Sequence, residues 1–276
     1  MGEFTTLLPF VAAPFIIMLL FALLLPPVGA TLHMRSEILV GLALVPLSGG
    51  VITLWTVVGI SPASTVVLLC ATFGTLFGIL TVVLRPACNA PLRQTRLAAL
   101  FVAGTVLTPL LMSFSARTHA HLGYLLRGEM LALGRTQLLT VLVLWGVALV
   151  AGTVVRAALF AYCIDEEYFR LRCRYGGWFA TTFRMAATLI IATAVFFMGP
   201  VLTLALLIFP PLFTCGGKGS IRWFFVAGVL VAITGSSAGF AAALATDTAP
   251  AFLAAAGIAL AGGAYAFLVR WLPPTR

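Results

Sequence analysis

The stretch Leu7–Leu25, LLPFVAAPFIIMLLFALLL, carries no charged and no polar side chain. A helix crossing a hydrocarbon core about 30 Å thick needs roughly 20 such residues. The run is too long for the apolar part of a secretion signal, and the preceding MGEFTT lacks the basic residues of one, so it reads as a retained membrane span.

Composition extends that reading to the whole chain. Of the 276 residues 62% are hydrophobic and 8% charged, and the mean hydropathy is +1.16. A soluble domain of this size needs a polar coat, which 16 Lys+Arg and 7 Asp+Glu cannot supply. Lipid is therefore the solvent, and a multi-pass protein of the cell's inner membrane is expected. The formal charge of +9 is scattered between apolar runs and forms no stripe. It fits loops facing anionic lipid, and no nucleic-acid partner is expected. Breaks of charge, Pro and Gly divide the chain into about nine runs of spanning length, beginning at Leu7, Glu37, Ala63, Leu97, Leu138, Trp178, Val201, Ile221 and Ala251. None alternates as a barrel strand does, and in lipid such runs satisfy their backbone only as helices. The expected fold is an all-α polytopic helix bundle forming one transmembrane domain over residues 1–276.

Basic residues cluster at alternate connections: Arg35; Arg85, Arg93 and Arg96; Arg170, Arg172 and Arg174; Lys218 and Arg222; Arg270 and Arg276. The positive-inside rule makes those sides cytoplasmic, with the N-terminus outside and the C-terminus inside. GISPAS, the Gly199-Pro200 turn and TDTAPA then lie outside; Arg117, Arg127 and Arg135 dissent. Gly74/Gly78 and Gly235/Gly239 are GxxxG pairs, which let helix backbones approach closely, within one subunit or at a dimer seam. Pro9, Pro14, Pro46, Pro109, Pro210 and Pro211 are expected to kink or break their helices. The five cysteines show neither a CxxC nor a Cys/His metal spacing and read as plain thiols.

The densest charge lies in AYCIDEEYFRLRCRYGG, Ala161–Gly177. Asp165 suits an N-cap, Glu166 and Glu167 fall near the positive helix end, and Arg170, Arg172 and Arg174 near the negative end. Ile164, Tyr168, Leu171 and Tyr175 form an apolar stripe at helical spacing. A short cytoplasmic helix is expected, either lying on headgroups or docking a soluble protein.

This segment resembles the FDPExAxxxG coupling region of permease subunits from ABC importers of the zinc, manganese and iron-chelate uptake family. Asp165 and Glu167 match its acids, while Glu166 replaces its proline, Phe169 its alanine and Cys173 its glycine. Leu126–Leu138 (LRGEMLALGRTQL), Met198–Thr214 (MGPVLTLALLIFPPLFT) and Gly239–Thr248 (GFAAALATDT) are similar to further family segments in the same order. The resemblance implies a homodimer or close heterodimer of permeases, two cytoplasmic ATPases and an external binding protein. Asp165, Glu166, Glu167, Tyr168, Arg170 and Leu171 would then engage the ATPase. The chain itself would be no enzyme and bind no cofactor: CGGKGS around Lys218 lacks the GxxxxGK[ST] phosphate spacing and reads as a basic loop.

An acid at the edge of a span is a functional candidate. Glu37 stands where the family's second helix carries an Asp, but Gly41 stands where the family has its metal-binding His. Glu37 is thus a candidate metal ligand in the pathway, or a structural acid paired near the cytoplasmic interface. One carboxylate makes a poor zinc or manganese site. His33, His119 and His121 fall in connections. Either a divalent metal passes a weakened site, or the cargo is a chelate that needs a smooth path. The rival classes are a secondary transporter, which would need midplane acids or repeats, and a structural membrane protein, which would not need the amphipathic helix.

The orientation is tested by labelling. Single cysteines introduced near Asn89 and Tyr175 should resist an impermeant thiol reagent added outside cells, and one at Thr248 should react; the reverse pattern would invert the topology.

Overall fold

The computed structural model describes residues 2–60, 65–83, 90–113, 135–164, 169, 176–215, 220–246 and 248–271. Among them every regular element is a helix: α1 Gly2–Met34, α2 Ile38–Val58, α3 Thr65–Val83, α4 Ala90–Ser113, α5 Arg135–Ile164, α6 Gly176–Thr214, α7 Ile221–Thr246 and α8 Pro250–Trp271. Six stretches in the described residues are long and apolar enough to cross a membrane, with a seventh if the bent pair Trp145–Val155 and Ala157–Ile164 is one crossing. The apolar helix Val66–Thr81 falls short of that length.

Six helices begin within three residues of an expected apolar run, while α1 and α4 begin earlier. α4 starts at Ala90, so Arg93 and Arg96 ride on the helix itself instead of in a connection. A helix does not end where hydrocarbon ends: its backbone stays paired while charged side chains reach the interface. The expected turn at Gly199-Pro200 is present as a break between two helical segments, with no separate loop. Within the 39-residue α6, Gly199 alone has non-helical angles, φ 77° and ψ 166°, and it is buried. A straight helix of that length would reach about 58 Å, nearly twice the hydrocarbon thickness. Glycine tolerates the positive φ, and Pro200 disfavours helical angles in the residue before it. Pro46 and Pro109, by contrast, sit inside uninterrupted helices.

Side-chain hydroxyls are satisfied locally. Thr31, Ser48, Thr53, Thr72, Thr193, Thr203 and Thr214 each donate to a carbonyl three or four residues earlier in their own helix, at 2.6–2.8 Å. A buried hydroxyl paired in this way makes no demand on a neighbouring helix.

The chain divides into two compact units, Met1–Arg35 with Glu129–Phe169 and Ala205–Arg276, and Ser36–Gly128 with Arg170–Leu204. In the first, α7 packs along α8 and α1 packs on α5 and α7. The α7/α8 seam is glycine against backbone: a Cβ at Gly235 would strike Ile258, one at Gly239 would strike Leu253 and Ala254, and one at Gly257 would strike the Gly235 carbonyl. Aromatic pairs fill the wider gaps, with Phe15 on Phe240 at 5.3 Å, Phe21 on Trp145 at 5.9 Å and Phe160 edge-on to Phe225 at 5.2 Å. Trp223, near the start of α7, donates its indole N–H to the Tyr265 hydroxyl near the end of α8 at 3.2 Å. Such amphipathic rings suit the headgroup level. Val147, Val150 and Val154 of α5 are all exposed, as on a face turned to lipid.

In the second unit α2 packs against both α3 and α4. Its closest approach uses Gly104 of α4, where a Cβ would meet the backbone of Pro46 and Leu47. α4 therefore lies directly against α2 at Pro46, a proline that membrane helices tolerate. Gly74 and Gly78 of α3 differ: a Cβ on either meets nothing within 4 Å.

These contacts predict an asymmetry between the two GxxxG pairs. Gly239→Leu must separate α7 from α8 and should cost about 1–3 kcal/mol or more by overpacking, read as a lower melting temperature of the detergent-solubilised permease. Gly74→Ala should leave the melting temperature of the isolated subunit unchanged.

Candidate functional site

α1 ends at Met34, and the chain turns through Arg35 and Ser36 into α2. The Arg35 N–H still bonds the Thr31 carbonyl at 3.2 Å, while Val40 N–H bonds the Glu37 carbonyl at 2.9 Å, opening the next helix. Between them Ser36 has φ 54°, a left-handed angle that costs a side-chain-bearing residue of the order of 1 kcal/mol or more and persists where flanking contacts impose it.

Glu37 is the N-cap of α2, but its side chain makes no capping bond. The carboxylate, 5% exposed, instead accepts through Oε1 from Arg93 Nη2 at 2.8 Å and from Arg184 Nη2 at 3.2 Å. α4 brings Arg93 from near its N-terminus, and α6 brings Arg184 from within the apolar stretch that follows Trp178. A guanidinium there would be costly alone, by roughly 2.5–3.5 kcal/mol on insertion scales; the Glu37 carboxylate offsets that cost. The helix dipole of α2 also favours an acid at its start. One carboxylate between two guanidiniums leaves these three side chains with a formal charge of +1, which opposes a cation at Glu37. The three side chains also place the starts of α2, α4 and α6 at one end of the unit, as the alternate-side reading of their basic residues requires.

No three His, Cys, Asp or Glu side chains among the described residues come together as metal ligands. His33, expected in a connection, lies in the last turn of α1; His119 and His121 lie outside the described residues. Cys70, Cys163 and Cys215 are free thiols.

The residues expected to engage an ATPase, Asp165, Glu166, Glu167, Tyr168, Arg170 and Leu171, likewise lie outside the described residues. Their neighbour Phe169 does not. It is 8% exposed and packs edge-on against Tyr162, with centroids 5.9 Å apart at 70°. Tyr162, in the last turn of α5, is 1% exposed, and the Arg35 guanidinium sits 4.0 Å from its ring centroid. Ile164, first residue of the expected apolar stripe, is by contrast 67% exposed. Sequence reasoning missed Arg184 and the burial of Phe169. Each carried a signal: a lone arginine inside an apolar run demands a partner, and Phe169 puts bulk where the family has an alanine.

The model of the ABC 3 transport family matches residues 7–267. Among solved structures, PsaBC from Streptococcus pneumoniae, determined in complex with a Fab, superposes with a TM-score of 0.79 at 16% sequence identity, covering 99% of this chain and 96% of that one. At that identity the likeness is one of fold. No curated protein matches the sequence.

The geometry at Glu37 predicts a stability phenotype. Removing one member of a fully buried ion pair costs about 3–5 kcal/mol; with both arginines partly in water, Glu37→Gln should cost about 1–3 kcal/mol. Its melting temperature should fall, and Arg93→Gln should cost less in the Glu37→Gln background than in the wild type. An additive double-mutant cycle would show that the ion pair contributes nothing.

Proposed function

The chain belongs to the ABC 3 transport family, and from that premise we propose that it is the permease of an importer carrying a divalent transition metal, zinc, manganese or iron, or its chelate. The observation that carries the reading is the family match across residues 7–267, on a chain whose described residues are helical and rich in spanning segments. The permease crosses the inner membrane about nine times as one domain and hydrolyses no ATP itself. Two cytoplasmic ATPases supply the energy, an external binding protein delivers the cargo, and a second copy of the chain completes the pathway. The open face around Gly74 and Gly78 on α3 offers that copy a close helix approach.

Within this reading the chelate form gains from one observation, the engagement of Glu37 by Arg93 and Arg184. A complexed metal keeps its ligands and asks the path for shape and charge rather than coordination. The charged stretch from Asp165 to Leu171 docks the ATPase through Tyr168 and Leu171, with Asp165, Glu166, Glu167 and Arg170 setting its polarity.

Reconstitution tests the proposal. Vesicles holding the permease with its ATPase and binding protein should accumulate radiolabelled metal, free or as a chelate, only with ATP. Uptake that persists without the ATPase would favour a secondary transporter. Replacing Tyr168 and Leu171 by Asp should release the ATPase from the purified complex and abolish uptake, because a carboxylate buried without a partner costs several kcal/mol. Full copurification and normal uptake would refute the docking role.

A further inference from the structure

Two guanidiniums, Arg93 at 2.8 Å and Arg184 at 3.2 Å, share one oxygen of the Glu37 carboxylate, and each reaches it through a single Nη2. A guanidinium has five N–H donors, and the Nε of Arg184 is buried without a hydrogen-bond partner, so the carboxylate does not exhaust what that side chain can give. Neither arginine is sealed off: the side chain of Arg93 remains 34% exposed and that of Arg184 24%. Arg96, one turn further along α4, is exposed and adds positive charge to the same end of the unit. Beside these arginines on the same two helices the surface is apolar, with Leu92 of α4 and Trp178 and Met185 of α6 all exposed.

We propose that Arg93 and Arg184 form a binding site for the phosphate of one anionic phospholipid, at the end of the unit where α2, α4 and α6 begin. Guanidinium forks meet phosphate oxygens through paired N–H donors. Both arginines are bound to one oxygen of Glu37, which holds them close enough together to serve a single phosphate. The excess of positive over negative charge drives the binding, because a partly desolvated cation attracts an anion more strongly than one in water does. Depth selects the source of that phosphate. The indole of Trp178 suits the headgroup level, and Arg184 lies six residues further along α6, about 9 Å along the helix axis. An arginine at that depth extends its side chain back toward the interface, where lipid phosphates lie. A free phosphate ion is typically held in a cup of backbone N–H groups, whereas the exposed flank of Leu92, Trp178 and Met185 suits acyl chains. Glu37 acts on the site in two ways: buried at the start of α2, it fixes both guanidiniums in place, and it competes with the phosphate for their donors. The site requires only a bilayer around the chain and does not depend on what the chain transports.

The full-length chain, purified in a neutral detergent and incubated with phosphatidylglycerol or with phosphatidylcholine, is read by native mass spectrometry for bound lipid and by thermal melting. The wild type should retain phosphatidylglycerol at concentrations fivefold or more below those needed for phosphatidylcholine, and only the anionic lipid should raise its melting temperature. Arg93→Lys and Arg184→Lys keep the charge and lose the fork, and each should weaken phosphatidylglycerol retention fivefold or more. Glu37→Gln frees both guanidiniums and should tighten retention threefold or more even where it melts lower in detergent; it decides the matter if Arg184→Lys fails to fold. Arg222→Gln, at the exposed start of α7 in the other unit, should retain lipid as the wild type does. Unchanged retention in both lysine variants would overturn the proposal, as would a loss in Arg222→Gln equal to theirs, which would show a diffuse field of charge in place of a site. A melting shift produced by inorganic phosphate, with no lipid retained, would assign the arginines to a free anion and refute the lipid.

Discussion

A peptide group taken into hydrocarbon without a hydrogen-bond partner costs several kcal/mol, and the described part of this chain is organised around avoiding that cost. Helices answer it locally, one after another, and leave little for tertiary contacts to do in the way of pairing. What remains for tertiary structure is fit. In lipid no hydrophobic force draws one apolar helix to another, so the closest seams form where side chains are absent. Gly235, Gly239 and Gly257 bring α7 against α8, Gly104 brings α4 against α2, and Gly29 lets α1 meet the Leu207 carbonyl region.

Charge obeys a harsher form of the same rule. Arg184 can stand inside an apolar run because Glu37 lies within reach, and Glu37 can be buried because it holds two guanidiniums. The cluster ties together residues near the beginnings of three helices. In the other unit, the Arg35 guanidinium lies over the face of the Tyr162 ring. Between α1 and α2 the backbone of Ser36 is left-handed, at φ 54°.

The fold was legible because its signal is one-dimensional. Unbroken apolar runs announce helices, and the beginnings of α2, α7 and α8 lie within a residue of those the hydropathy breaks suggest. α4 began early because charge marks the edge of hydrocarbon and not the edge of a helix. Gly199-Pro200 was visible as a break, but a turn exposed at a surface and a buried bend are written with the same two residues. The site was harder to read. Glu37 stood out as an acid at a span's edge, yet its partners lie 56 and 147 positions along the chain, and no local pattern reports a pairing at such range. Phe169 fell off the apolar stripe drawn through Ile164 and Tyr168, since a helical wheel assigns faces without knowing which neighbour is present.

The hydroxyls that bond back to their own helices bear on how far such a sequence can drift. A Thr or Ser whose only obligation is to a carbonyl one turn earlier can be exchanged for a small apolar residue without orphaning any group elsewhere, and the reverse exchange brings its own partner with it. Such hydroxyl positions are therefore interchangeable among small and apolar residues, while glycines such as Gly235, Gly239 and Gly104 and the Glu37 ion cluster keep their neighbours in register. A chain built this way can replace most of its letters and retain its shape, which is the relation seen with the pneumococcal structure: 16% identity beneath a TM-score of 0.79.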